Sequence, residues 1–320
     1  MKAIKIRPVL PLTTAMRKPP KTSPAGKPSG IFSTQAKPAV RSVERRKTQE
    51  FAFDTSDFSF LQKLVKEKSG IVLADDKQVM AYSRLTGRLR TLKLDRFRDY
   101  FDLINRPGSN EIDHCLNAIS TNLTSFFREK HHFDFLAKTI LPLVQKRTIK
   151  QKSLRIWSAG CSSGEEAYSA AITIHESLVT SAGWHIEIIA TDLDSNMIKA
   201  AKAGRYRKQQ LSSNLDAAMI QRYFDTDDDN YMVAKSSLKN LISFSQLNLL
   251  NRWPPVSKFD LIICRNVLIY FDKPTQQKLI EKYYQALGPD GHLFLGHSEK
   301  MDDPKKKFIH LGKTRYQKAD

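Results

Sequence analysis

The sequence predicts an α/β fold: a small N-terminal helical domain, then a doubly wound sheet carrying a small helix-plus-hairpin insert. Three observations predict it. Apolar residues recur at helical spacing from about Phe51 to Arg128, with no β-alternation. From Glu129 onward, strand-like runs alternate with amphipathic helices, the pattern of a mostly parallel sheet wrapped by helices. Between the first strand and its helix lies a glycine-containing turn, "SAGCSSGEE". Sheets of this kind bind ligands at the carboxyl ends of their strands.

The elements follow in order. In "DFSFLQKLVKEKSG", Phe58, Leu61, Leu64 and Val65 share one face, and Gly70 stops the helix. In "DDKQVMAYSRLTGRLRTL", Val79, Tyr82, Leu85, Leu89 and Leu92 run along one side, while Lys77, Arg84 and Arg88 form a second stripe. "DRFRDYFDLI" and "NEIDHCLNAI" complete a helical domain over 51–128. "LRIWSAG" then reads as a buried strand before the helix "GEEAYSAAITIHESL". "IEIIATD" precedes the helix "SNMIKAAKAG", and "FDLIICRN" precedes "KPTQQKLIEKYYQAL", which Gly288 and Pro289 stop. "GHLFLGHS" is a further strand, and "KKKFIHLGKTRYQKA" a hairpin around Gly312 and Lys313. The rhythm breaks at about 205–247. There a helix "NLDAAMIQRYF", an acidic turn "DTDDDN" and two strand-like runs, "YMVA" and "LISFSQL", predict the insert in a domain spanning 129–320.

Net charge is +19, and about half lies in residues 1–50, which hold 12 Lys/Arg against Glu44 and Glu50 and seven of the 14 prolines. Such a composition predicts a disordered basic tail. It reads most simply as a solvated tether, with nucleic acid or anionic lipid as the other partners for such charge. No apolar run reaches the ~18 residues of a membrane span. Pro8 and Pro11 break the short apolar stretch at the start, so no secretory signal is expected. Cys115, Cys161 and Cys264 have no paired or metal-type spacing, which favours a reducing, cytoplasmic setting.

The turn limits the ligand. A dinucleotide fingerprint needs G-x-G-x-x-G, but Gly160, Ser162 and Glu165 stand at those positions. A P-loop needs a lysine, and none is present. Glu165 and Glu166 at a helix start are favoured by the helix dipole, yet a carboxylate ~4 Å from a pyrophosphate costs several kcal/mol in a partly desolvated site. The ligand is therefore expected to be neutral or cationic near the turn, and S-adenosylmethionine fits. Two acids that merely cap the helix are the bland alternative. Asp192, ending the second strand, stands where an acid reads ribose hydroxyls; it can equally N-cap the next helix.

Taken together, "TNLTSFFREKHHF", "RIWSAGCSSGEEAYS", "IIATDLD", "AGRYR", "FSQLNLL", "FDLIICRNVLIYFDKPTQQ" and "GHLFLGHSE" resemble, in order, the CheR family. Its members are S-adenosylmethionine-dependent methyltransferases that esterify glutamates on chemotaxis receptors. The resemblance covers about Phe51 to Lys318 and implies a class I, Rossmann-like methyltransferase domain. It implies cofactor contacts at Asn122, Thr124, Arg128, Glu165, Asp192, Asn248, Leu249, Arg265 and Asn266. Arg128 would hold the methionine carboxylate, and Asn248 and Leu249 the adenine. Arg128, Arg265, Asn266 and Tyr270 are positioning candidates, with Tyr270 read equally well as a core residue. A glutamate acceptor is ionised at pH 7, so no acid–base residue is assigned. No metal is implied: His131 and His132 are adjacent, so both are not expected to face one point.

The resemblance implies that the partner is the cytoplasmic helical part of a methyl-accepting chemotaxis receptor. Lys77, Arg84, Arg88 and, less securely, Arg90 are the expected docking residues, with a solvated helix face as the alternative. Family members that bind a receptor C-terminal pentapeptide have a glycine-rich turn in the inserted hairpin. Here "FDTDDDNYMV" has none, which predicts the pentapeptide-independent type. A monomer is expected. A nucleic-acid methylase would fit the charge, but the Asn/Asp-Pro-Pro-aromatic run of base methylases is replaced by "CRNVLIY". A non-catalytic scaffold of the same fold is the third reading.

Overall fold

The computed structural model describes residues 49–146, 152–177, 183–254, 257–303 and 306–319. The expected basic tail lies outside the described residues, apart from Gln49 and Glu50. Four helices open the described chain: α1 (Thr55–Ser69), α2 (Gln78–Leu92), α3 (Phe97–Asn105) and α4 (Glu111–Ile119). Asp54 and Asp57 form a reciprocal capping box at the start of α1, and Gly70 closes it at φ 76°. The four helices share one apolar core containing Leu61, Val65, Leu85, Leu89, Phe97, Tyr100 and Leu116. Val79 does not join it. The first turn expected of the second helix is a separate 3-10 turn, Asp75–Lys77. The helix itself buries Ala81, Leu85, Thr86 and Leu89 and packs Tyr82 and Leu92 against the core, while Val79, in its first turn, is 76% exposed.

The short helices α5 (His131–Phe135) and α6 (Leu141–Gln145), joined by a π-helical turn, lead to the sheet. The strands are β1 (Ser153–Ala159), β2 (His185–Asp192), β6 (Ile242–Gln246), β7 (Phe259–Cys264), β8 (Leu287–Leu295), β9 (Phe308–His310) and β10 (Arg315–Lys318). Their order is β6-β2-β1-β7-β8-β10-β9. The first five run parallel, and β10 and β9 form the expected antiparallel hairpin. Alternate strand residues feed opposite faces. Ile156, Ile188, Leu261 and Ile263 pack with α7 (Glu165–Ser177). Trp157, Ile262, Leu293 and Leu295 pack with Leu279, Ile280 and Tyr283 of α12 (Lys273–Ala286). The chain moves outward from β1 through β2 to β6, then returns to β7 on the other side. The gap between β1 and β7 is therefore the topological switch point.

The insert is smaller than its sequence suggests. The run "ISFSQ" is β6, pairing parallel with β2 from Ile188↔Ile242 to Asp192↔Gln246. The hairpin instead joins β4 (Phe224–Thr226) and β5 (Tyr231–Ala234), and β3 (Arg205–Arg207) completes a three-stranded sheet. Helices α8 (Ser195–Ala203), α9 (Lys208–Ser212), α10 (Ala217–Tyr223) and α11 (Ser236–Lys239) connect these strands. The glycine-free turn closes through Asp228, whose Oδ1 accepts the N–H groups of Asn230 at 2.8 Å and Tyr231 at 2.9 Å. Two of its acids share one cation: Arg205 bridges Asp227 and Asp228 and stacks 3.7 Å from the centre of the Tyr231 ring.

Candidate active site

Beyond β1 the backbone turns sharply. Gly160 sits at φ 98°, and a Cβ there would lie 2.4 Å from Val267 Cγ2, so glycine is required on both counts. The N–H groups of Gly160 and Cys161 both reach the Thr191 carbonyl at the end of β2, at 2.8 and 2.9 Å. One residue on, Ser162 N–H donates to Asp192 Oδ2 at 2.7 Å. Asp192 Oδ1 accepts from Asp194 N–H at 2.9 Å. These bonds lock the first two strand ends together and aim the Asp192 carboxylate. Burial pushes that carboxyl above its ordinary range, against the two backbone donors.

The turn borders a cavity of about 580 Å³ at the switch point, within the usual range for a small-molecule site. Asn122, Thr124, Arg128, Asp192, Asn248, Leu249, Arg265, Asn266 and Tyr270 all line it. The helical domain contributes Ile71, Lys77, Met80 and Ile119 to the same wall. Glu165 does not line it. Its carboxylate is 1% exposed and turns away, to Ser163 Oγ at 2.7 Å and Gln210 Nε2 at 2.5 Å. Successive helical residues point about 100° apart, and Glu166 is the one that reaches the cavity. Two expected contacts carry other bonds. Asn122 Nδ2 donates to Asp194 Oδ2 at 2.8 Å. Asn248 Nδ2 donates to the Lys68 carbonyl at 2.7 Å, tying the helical domain to the end of β6.

Arg265 is the electrostatic centre. Its side chain is 2% exposed, with Nη1 3.3 Å from Glu166 Oε2 and Nε 3.7 Å from Glu129 Oε2. Its Nη2 donates to the Arg128 carbonyl. Burial pushes the Glu166 carboxyl up to about 7, although Arg265 and the 2.7 Å hydrogen bond from Ser158 Oγ oppose the rise. Glu129 goes the other way: burial raises it, but hydrogen bonds from His297 and the Arg265 charge bring it below the usual range. Glu299 fastens the loop after β7, accepting N–H groups from Asn266 at 2.8 Å and Gly296 at 2.6 Å. Asn266 there is held at φ 59°.

His131 and His132 do converge. Their ring nitrogens and a Glu129 oxygen lie within 4.8 Å of one another, because the chain enters α5 irregularly, with Glu129 at φ 55°. The Arg265 guanidinium beside Glu129 disfavours a cation at that point. Burial and the Arg265 charge hold the His132 imidazole neutral, down to about 3.

The expected docking stripe is largely committed within the helical domain. Arg84 Nη1 caps the end of α4, reaching the carbonyls of Ile119 at 2.8 Å and Ser120 at 2.7 Å. Arg88 forms a two-pronged pair with Glu111, at 2.9 and 2.7 Å. Arg90 pairs with Glu50, and Lys77 with Asp76 at 2.8 Å. Lys77 alone of the four lines the cavity. Sequence reading passed over Glu129, His297 and Glu299. The "GHSE" following β8 was the available signal for the last two.

Among known proteins, residues 56–120 match the family model "CheR methyltransferase, all-alpha domain", and residues 122–317 match "CheR methyltransferase, SAM binding domain". The chain is 38% identical over 275 residues to the chemotaxis protein methyltransferase of Escherichia coli strain K12, covering 84% of this chain and 93% of the relative. It is 39% identical over 276 residues to chemotaxis protein methyltransferase 2 of Pseudomonas aeruginosa, covering 85% and 96%. A helical domain and a methyltransferase domain, matched in order and meeting at one cavity, place this chain in the CheR methyltransferase family.

Proposed function

We propose that this chain transfers a methyl group from S-adenosylmethionine to glutamate side chains of methyl-accepting chemotaxis receptors, giving methyl esters. The observation that carries the reading is the cavity itself. It lies at the switch point, both domains wall it, and its carboxyl groups, Glu166 and Asp192, suit a cationic ligand rather than a phosphate.

The side chains fit S-adenosylmethionine. Each Asp192 oxygen accepts one backbone N–H and keeps acceptor capacity for ribose hydroxyls. Leu249 is an apolar wall for the adenine, and Arg128 a donor for the methionine carboxylate. The bound sulfonium supplies an activated methyl and a good leaving group. The chain's own residues then have to orient and desolvate. The acceptor glutamate, with an ordinary pKa of ~4.3, is already ionised at pH 7 and needs no general base. Lys77, lining the cavity, offers it positive charge. Arg265 is held from three directions, so it does not reorganise when the acceptor arrives. Alignment of oxygen and methyl in a water-poor site supplies ~7–11 kcal/mol in such reactions.

The inserted hairpin supports a pentapeptide-independent mode. Its turn is acidic, glycine-free and already folded upon Arg205. Incubation with labelled S-adenosylmethionine and receptor-containing membranes tests the function: base-labile label on the receptor is expected, and label confined to nucleic acid would refute it.

A further inference from the structure

Eight large apolar side chains stand well exposed among the described residues, and three of them, Val72 at 44%, Leu123 at 81% and Ile269 at 50%, also line the cavity. A residue that is both cavity-lining and exposed lies at the mouth. Scattered single apolar residues on a surface need no explanation; a group gathered around one opening marks an interaction surface. We propose that this rim docks the helix that bears the methyl-accepting glutamate, with Val72, Leu123 and Ile269 receiving apolar residues one turn to either side of that glutamate. The proposal rests on the receptor-methylating function above and names the surface that selects the acceptor.

The rim is built into the site rather than draped over it. Val72 N–H donates to the Tyr270 carbonyl at 2.8 Å, and Ile71 forms a β-bridge with Phe271. That pairing sets Val72 opposite Tyr270, the chain neighbour of Ile269. Ile269 N–H in turn donates at 3.2 Å to Glu299, which also holds Asn266. On the other side, the Leu123 carbonyl accepts from Arg128 Nη1 at 2.9 Å, and Arg128 is tied to Arg265. A helix seated on these three side chains would thus be registered against the groups that line the reaction site.

Charge selects the occupant. Lys77 and Arg128 border the same cavity, so a segment carrying a carboxylate is attracted. The chain's own residues 1–48, with 12 Lys/Arg against Glu44 alone, are repelled. A helix with glutamate centred between apolar residues satisfies both the apolar rim and the cations. Arg84 and Arg88, bonded within the helical domain, are left with a supporting role.

The test compares Leu123→Ser with Ile269→Ser, and the two combined, in the full chain. Initial rates of receptor methylation are measured against receptor concentration, alongside thermal melting and calorimetric affinity for S-adenosylhomocysteine. The double variant is expected to raise the KM for receptor about tenfold, with kcat and S-adenosylhomocysteine affinity within twofold. A receptor with serine at the apolar positions flanking its glutamate should raise KM similarly for the unaltered chain, and add little to the double variant. An unchanged KM, additive effects of the two changes, or a matching loss of S-adenosylhomocysteine affinity would overturn the docking surface while leaving receptor methylation intact. No transfer to receptor by the unaltered chain would overturn both.

Discussion

Binding of S-adenosylmethionine at pH 7 should release a proton, and Glu166 should be its source. This carboxyl is buried in the cavity wall and its pKa is about 7, so roughly half is protonated at pH 7. A drop of one unit, about 1.4 kcal/mol, is what one net positive charge exerts at ~12 Å under an effective dielectric of 20. The protonated fraction then falls from about one half to about one tenth, releasing about 0.4 proton per ligand. Calorimetry at pH 7 in two buffers of different ionisation enthalpy reads this number directly. The release should fade towards pH 5 and pH 9, be smaller for the uncharged thioether of S-adenosylhomocysteine, and vanish in Glu166→Gln. A binding enthalpy independent of buffer, or the same release from Glu166→Gln, would show that this carboxyl does not sense the ligand.

The same group gives a stability prediction. Its folded pKa is raised from 4.5 to about 7. Its contribution is therefore fully present below pH 4.5 and is lost as pH rises through 7, by at most about 3 kcal/mol. The melting temperature of Glu166→Gln relative to the unaltered chain should accordingly climb from pH 5 to pH 8; a constant difference would contradict the sign. Asp192→Ala should weaken S-adenosylmethionine binding by ~1–3 kcal/mol, through loss of a charged acceptor; unchanged affinity by calorimetry would remove Asp192 from the site. Arg88→Ala should cost about 3 kcal/mol in denaturant unfolding, since it strands Glu111, 7% exposed; a cost below 0.5 kcal/mol would return Arg88 to the solvated face. A receptor C-terminal pentapeptide should show no detectable binding, and micromolar binding lost on substituting Asp227, Asp228 and Asp229 would refute the reading of the hairpin.

Elements whose identity depends on local pattern were legible. The Gly70 stop of α1, the buried run of β1 and the hairpin of β9 and β10 follow from spacing and turn residues. Elements decided by tertiary competition were not. "ISFSQ" looks like the partner of "YMVA", but its burial against β2 beats a local hairpin, and nothing within five residues encodes that choice. Glu165 and Glu166 are equivalent in sequence; the phase of α7 decides which one meets the cavity. The Lys77, Arg84 and Arg88 stripe is a correct periodicity whose meaning depends on distant groups. Glu111 and the end of α4 capture two of its members. The hub at Arg265 joins Glu129, Glu166 and the loop carbonyl of Arg128, segments up to 137 residues apart, and no window of sequence brings them together.

The central claim is that an ionised glutamate on a receptor accepts the methyl group. Mass spectrometry of the purified receptor cytoplasmic domain, after incubation with the enzyme and S-adenosylmethionine, tests it most directly. One methyl increment is predicted on a glutamate-bearing helical peptide. It should be removed by mild base and absent when that glutamate is replaced by glutamine. An increment that survives base, or that persists without the glutamate, would contradict the account.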